Sequence, residues 1–186
     1  FEEYVQDCAQ EGIEYEDDIV SPIKSDDKEK KSADYGHGEL VAPADGKVKP
    51  MKEARDEAFA SCDMGNGIVV EPTDGTIVSP ADGVVTTVME PSLHAVGIQT
   101  KGGINILLHL GIDTVKMEGE GFKSWTASGK KVKAGEKLIT MDIEKIRKAG
   151  YLPDVMMIVL DEEGLPDMDY HTDFTARKGD TVVAEY

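Results

Sequence analysis

The stretch Leu40-Val41-Ala42-Pro43-Ala44-Asp45-Gly46-Lys47-Val48 returns 37 residues later as Ile77-Val78-Ser79-Pro80-Ala81-Asp82-Gly83-Val84-Val85. Each copy reads as a strand, a Pro-Ala-Asp-Gly turn and a second strand, with Asp-Gly supplying the positive φ that a tight turn requires. A weaker theme, a basic residue followed by Gly and an acid and then an apolar strand, links Val132–Leu138 to Ala176–Val182. Short apolar runs at 68–71, 77–79, 84–89, 95–100, 104–109, 138–141, 155–160 and 181–185 follow one another with Gly or Pro between them. That density predicts an all-β chain, an antiparallel sandwich or barrel with an internal repeat. One or two short helices are expected. Asp142 to Ala149 has an Asp cap, Ile143 and Ile146 three apart and Gly150 behind it, and residues 53–60 predict a single turn.

The charge is uneven. Of a formal net −17, residues 1–39 hold 13 acids and 4 lysines, a net of −9, and residues 40–186 hold 24 acids and 16 bases, a net of −8. The run Ser25 to Ser32 has no apolar side chain with which to offset its ordering entropy. Residues 1–38 therefore read as an acidic interdomain linker and 39–186 as the globular domain. The negative charge argues against nucleic-acid binding, because phosphates would be repelled. Val155 to Leu160 is the longest apolar run, far short of the roughly 20 residues of a membrane helix. Cys8 and Cys62 make no disulfide framework and fit a reducing compartment, and no signal peptide is visible. A cytoplasmic location is expected, or the cytoplasmic face of a membrane. The start at Phe1 suggests a piece cut from a longer chain.

Of four histidines, His37 and His171 read as solvated loop residues. His94 and His109 flank a hairpin signature, Ala95 to Ile98 and Ile104 to Leu108 around Thr100-Lys101-Gly102-Gly103. A turn at Lys101-Gly102 pairs residues whose numbers sum to 203, which sets His94 opposite His109. A turn at Gly102-Gly103 makes them diagonal neighbours, still within reach. Leu107, Leu108, Leu110 and Ile112 surround His109 with apolar groups, where an imidazole is costly unless hydrogen-bonded. Two such rings suit phosphoryl transfer, one nitrogen attacking phosphorus while the neighbouring N–H steadies the oxygens. They also suit zinc, for which a third protein ligand would be needed; no His-x-His or His-Glu-x-x-His occurs.

The stretch Gly103 to Val115, with His109-Leu110-Gly111 at its centre, resembles the active-site signature of glucose-type enzyme IIA domains of the bacterial phosphoenolpyruvate-dependent sugar phosphotransferase system. The resemblance extends through Phe59 to Gly67, Ser79 to Gly83, the His94–His109 spacing, Gly119 to Phe122 and Lys133 to Glu136, covering about 40–182. It implies a duplicated hybrid motif fold and makes His109 the residue phosphorylated, on Nε2. It makes His94 the donor to a phosphoryl oxygen, Ser92 the residue that orients His94, and the Gly111 carbonyl the acceptor from His109 Nδ1–H. Phe59, Met64, Val96, Gly111 and Asp113 are implied as the partner-binding rim. Pro91 stands as an insertion before Ser92, and Asn105 replaces a commonly acidic residue.

The resemblance further implies a phosphotransferase component that takes its phosphoryl group from the phosphocarrier HPr. It passes the group to a IIB domain, which phosphorylates the transported sugar. The linker resembles the tether to a membrane permease. No cofactor is required beyond the covalent phosphohistidine. Zinc on His94 and His109, with Asp113 as a third ligand, is expected to be weak at most. A regulatory module gated by phosphorylation of His109 would use the same residues. A zinc hydrolase would need the missing ligand, and a biotin or lipoate carrier would need a hairpin-tip Lys beside Met.

Overall fold

The repeat organises the whole molecule, whose computed structural model describes residues 35–186. In chain order the strands are β1 (Glu39–Val41), β2 (Gly46–Pro50), β3 (Gly67–Pro72), β4 (Thr76–Val78), β5 (Gly83–Val88), β6 (Ala95–Thr100) and β7 (Asn105–Ile112). They continue as β8 (Phe122–Ser124), β9 (Lys131–Val132), β10 (Lys137–Met141), β11 (Leu152–Val159), β12 (Asp169–Tyr170), β13 (Phe174–Ala176) and β14 (Val182–Glu185). The two copies lie against each other reciprocally: Val41 N–H donates to the Pro80 carbonyl (2.8 Å) and Val78 N–H to the Pro43 carbonyl (2.9 Å). The turn acids do equivalent work, Asp45 accepting from Lys178 N–H (2.7 Å) and Asp82 from Ala134 N–H (2.9 Å). The weaker sequence theme is thus clamped onto the stronger one. Glycine follows each acid because a neighbouring strand passes too close for a side chain. A Cβ at Gly46 would lie 1.9 Å from the Glu71 carbonyl oxygen, and one at Gly83 2.1 Å from that of Gln99.

An eight-stranded antiparallel sheet, in the order β13-β2-β3-β11-β7-β6-β5-β9, forms one layer. Two three-stranded sheets, β1-β14-β12 and β4-β10-β8, complete the sandwich. The fold is the expected all-β one. Near-continuous apolar runs mark central strands buried on both faces. Ile106, Leu108, Leu110, Val155, Met157 and Val159 point into the main core, while Leu107, Met156 and Ile158 point to a smaller cluster with Phe59 and Met64.

Among the described residues, the two α-helices are brief. The helix α1 (Glu57–Ala60) starts at Asp56, whose carboxylate accepts from Ala58 N–H (2.9 Å). The helix α2 (Ile143–Lys148) starts at Asp142, which accepts from Lys145 N–H (3.0 Å) and buries Ile146. Within the expected 53–60 only the second half is α-helical; Met51–Glu53 is a 3-10 turn.

Two expectations need correction. The linker over 1–34 lies outside the described residues, but 35–38, assigned to its end, belong to the domain. Tyr35 packs on the core, and Gly38 exchanges both backbone hydrogen bonds with Tyr186 (2.9 and 3.0 Å). Polarity marked these residues as linker, whereas pairing decides their place. The polar stretch just before His171, itself read as a loop residue, contributes β12, held by β14 through backbone bonds that composition does not reveal.

Candidate functional site

The hairpin register is neither of the two expected. Ala95 pairs with His109, Val96 with Leu108 and Gln99 with Asn105, so partner numbers sum to 204. A three-residue loop, Lys101-Gly102-Gly103, causes this. Thr100 N–H donates to Ile104 (2.8 Å), Gly103 N–H donates to Thr100 (2.9 Å), and Gly103 takes φ +98°. His94 therefore sits one residue outside β6, just after Leu93 in the left-handed region at φ 56°. Its carbonyl accepts from Leu110 N–H at 2.6 Å, and its ring meets His109 edge-on, with centroids 5.2 Å apart and planes at 77°.

One-residue slips exchange faces, and that corrects Val96. It is fully buried in the main core and presents nothing to a partner; Ala95 stands on the His109 face instead. Gly111 is buried too, and contributes its carbonyl rather than surface. His109 Nδ1 lies 2.8 Å from that oxygen. The geometry requires glycine: φ is +87°, and a Cβ would fall 2.3 Å from Thr114 Cγ2. Because Nδ1 carries the proton it donates, Nε2 of a neutral His109 carries the lone pair.

His94 is held the other way. Its Nδ1 is 2.5 Å from Ser92 Oγ, whose other acceptor, the Met89 carbonyl, is at 3.5 Å. A hydroxyl has one proton to donate, and the shorter contact takes it. His94 then keeps its proton on Nε2. The pair consists of one ring with a lone pair at Nε2 and one with a donor there.

Phe59 lies on the His109 ring, centroids 4.7 Å apart, and Met64 packs in the same cluster. Asp113 is exposed, at φ 62°, with its carboxylate 3.9 Å from Lys116 Nζ. Asn105, where an acid was expected, recruits one: its Nδ2 donates to Glu162 at 2.7 Å. No motif points to Met156, the strand partner of His109, or to buried Asp154 and its partner Arg55.

Burial pushes both imidazoles down. His109 falls to about 4 despite the opposing hydrogen bond to Gly111, and His94 to about 2, with proximity to His109 adding to desolvation. Both rings are neutral at pH 7. Unfolded histidines take up protons near pH 6.5 while the folded ones refuse them, so the unfolded state binds more protons and stability falls as pH drops below that value. Each ring should cost about 2 kcal/mol between pH 6.5 and 5. Urea unfolding across this range should show the loss, and the double variant His94→Gln/His109→Gln should flatten it. An unchanged slope in that variant would contradict the assignment.

Among the described residues, the His, Cys, Asp and Glu side chains that come close enough together to share a metal ion are Asp169, His171 and Glu185. His94, His109 and Asp113 form no such group. His171, expected as a free loop ring, sits between carboxylates, 3.2 Å from Glu185 and 3.6 Å from Asp169. Two donors do not fit the four-ligand environment zinc prefers.

Comparison with known proteins identifies the family and the fold. Residues 38–165 match the family described as phosphoenolpyruvate-dependent sugar phosphotransferase system, EIIA 1. A PTS system glucose-specific EIIA component of Bacillus anthracis is 40% identical over 144 residues, spanning 77% of this chain and 87% of the relative. A PTS system beta-glucoside-specific EIIBCA component of Bacillus subtilis is 39% identical over 130 residues, 69% of this chain but 21% of that longer protein. The solved structure of glucose permease IIA from Mycoplasma capricolum superposes with a TM-score of 0.71 at 32% identity, covering 81% of this chain and 96% of that one. No helix among the described residues is long and apolar enough to cross a membrane.

Proposed function

The chain belongs to the EIIA 1 family of the phosphoenolpyruvate-dependent sugar phosphotransferase system, and on that premise we propose that it carries a phosphoryl group in sugar uptake, with His109 as the carrier. The observation that supports this best is the opposed setting of the two rings: Nδ1 of His109 on the Gly111 carbonyl and Nδ1 of His94 on the Ser92 hydroxyl.

The donor is the phosphohistidine of HPr. Its P–N bond breaks as His109 Nε2 supplies the electron pair for a new one, and the old pair returns to the donor's ring. The His94 Nε2–H then faces a phosphoryl oxygen. Little covalent chemistry is left to the protein, so rate depends on position and oxygen stabilisation. The proton held at Nδ1 makes the phosphorylated ring cationic. On onward transfer to a cysteine of a IIB domain, His109 departs as neutral imidazole rather than as imidazolate, a far better leaving group. The multidomain EIIBCA relative supports IIB and IIC partner domains on the same chain, and a tether to a membrane permease would hold this domain at the cytoplasmic face.

Reconstitution tests the relay. Incubation with phosphoenolpyruvate, enzyme I and HPr should label the chain with an acid-labile, base-stable phosphate, and adding a IIB domain should discharge it. No label, or one that a matched IIB domain does not remove, would sink the proposal.

Zinc enters only as a weak ligand of the same pair. Calorimetric titration should show weak binding at His94 and His109, abolished when phosphorylation occupies the Nε2 lone pair. A tight 1:1 site surviving in His94→Gln would place the metal elsewhere, at Asp169, His171 and Glu185 first of all.

A further inference from the structure

The side chains of Arg55 and Asp154 join parts of the chain 99 residues apart. Arg55 Nε donates to one carboxylate oxygen at 2.8 Å and Nη2 to the other at 2.5 Å. Asp154 is 2% exposed, whereas the Arg55 side chain is 48% exposed, so the guanidinium reaches in from the surface to a carboxylate committed to the interior. Both ends lead to the histidine pair. Asp154 lies on β11 two residues before Met156, the strand partner of His109, at the register shift between Leu152 and Val155, and Ala54, the neighbour of its partner Arg55, packs against the smaller cluster that holds Met156 and Ile158. Arg55 directly precedes Asp56, the cap of α1, and α1 carries Phe59 onto the His109 ring.

A four-residue helix has no stability of its own, since isolated helices below roughly 12–15 residues are marginal in water. Where α1 sits is therefore decided by tertiary contacts. Apolar burial of Phe59 and Met64 supplies attraction without direction, whereas a bidentate fork fixes both position and rotation. We propose that Arg55 and Asp154 are positioning residues that seat α1, and with it Phe59, against His109 for phosphoryl transfer; this rests on the reading of His109 as acceptor. The pair is suited to placement rather than to stability, because the desolvation of two charges offsets most of their attraction and apolar replacements of both are often neutral.

Two variants separate these roles. Arg55→Lys keeps the charge and loses the fork. The double variant Arg55→Met/Asp154→Leu removes both charges and leaves no orphaned carboxylate. For each, three quantities are measured: the urea midpoint, the rate of transfer from phospho-HPr against its concentration, and the ring-current shift of the His109 ring protons by NMR. The double variant should keep the wild-type midpoint. Both variants should lose about tenfold or more in kcat/KM, since misplacement by about 1 Å can cost as much as 100-fold, and both should lose the shift that Phe59 imposes. Wild-type kinetics with the shift retained would overturn the proposal, as would a rate loss matching only the loss of folded protein. The NMR measurement needs no phosphoryl donor. A wild type that accepts no phosphate would overturn the carrier reading, and the shift alone would then decide the seating of Phe59.

Discussion

Replacing His109 with alanine is expected to abolish phosphorylation, because no neighbouring group can take over as nucleophile. His94 is the nearest candidate, yet it is fully buried and its Nε2 carries the proton that Ser92 leaves there. Phe59 has no nucleophilic atom, the Met64 thioether forms no stable bond to phosphorus, and the exposed Asp113 carboxylate is turned toward Lys116. The loss should be complete within the detection of a labelling assay rather than a fraction. His109→Ala also orphans the Gly111 carbonyl, at a cost of about 1–3 kcal/mol, so circular dichroism must show that the variant is folded. His109→Gln, which can still donate to that carbonyl, should be equally inactive. Labelling of either variant at the wild-type level would remove His109 from its role.

His94→Gln should separate acceptance from release. The amide N–H can replace one donor to a phosphoryl oxygen, so the variant should still become phosphorylated. Onward transfer should slow by about 10²–10³, the typical cost of removing a preorganised donor from a developing anion. The glutamine has no ring for Ser92 to hold, and its donor is free to rotate. Single-turnover discharge to a IIB domain would read this directly. Unchanged discharge would mean that His94 is only a structural neighbour.

Much of the molecule was legible from sequence because it is duplicated. Asp45-Gly46 and Asp82-Gly83 each encode a turn, and finding the turn twice implied a shared scaffold before any contact was known. The histidine pair was legible as a hairpin, though its detail was not. Lys101-Gly102-Gly103 offers loops of two or three residues, and local sequence does not choose between them. The choice decides whether Ala95 or Val96 shares a face with His109. Val96, which the resemblance implied as part of the rim, lies in the main core, while His94 meets His109 because the chain turns at Leu93. Arg55 and Asp154 left no trace, since a polar residue in a polar segment and an acid beside an apolar run look ordinary until the fold joins them. Strand β12 failed similarly, because Asp169–Tyr170 is extended through backbone bonds to β14 and not through any pattern of its own.

The central claim is that a phosphoryl group resides on one nitrogen of one ring. Phosphorylating the chain enzymatically with 15N-labelled histidines and recording its imidazole nitrogen spectrum tests that most directly. The account predicts a single phosphohistidine, His109, with phosphorus bonded to Nε2 and the proton retained at Nδ1 opposite the Gly111 carbonyl. Phosphorus on Nδ1 of His109, on either nitrogen of His94, or on no histidine at all would contradict it.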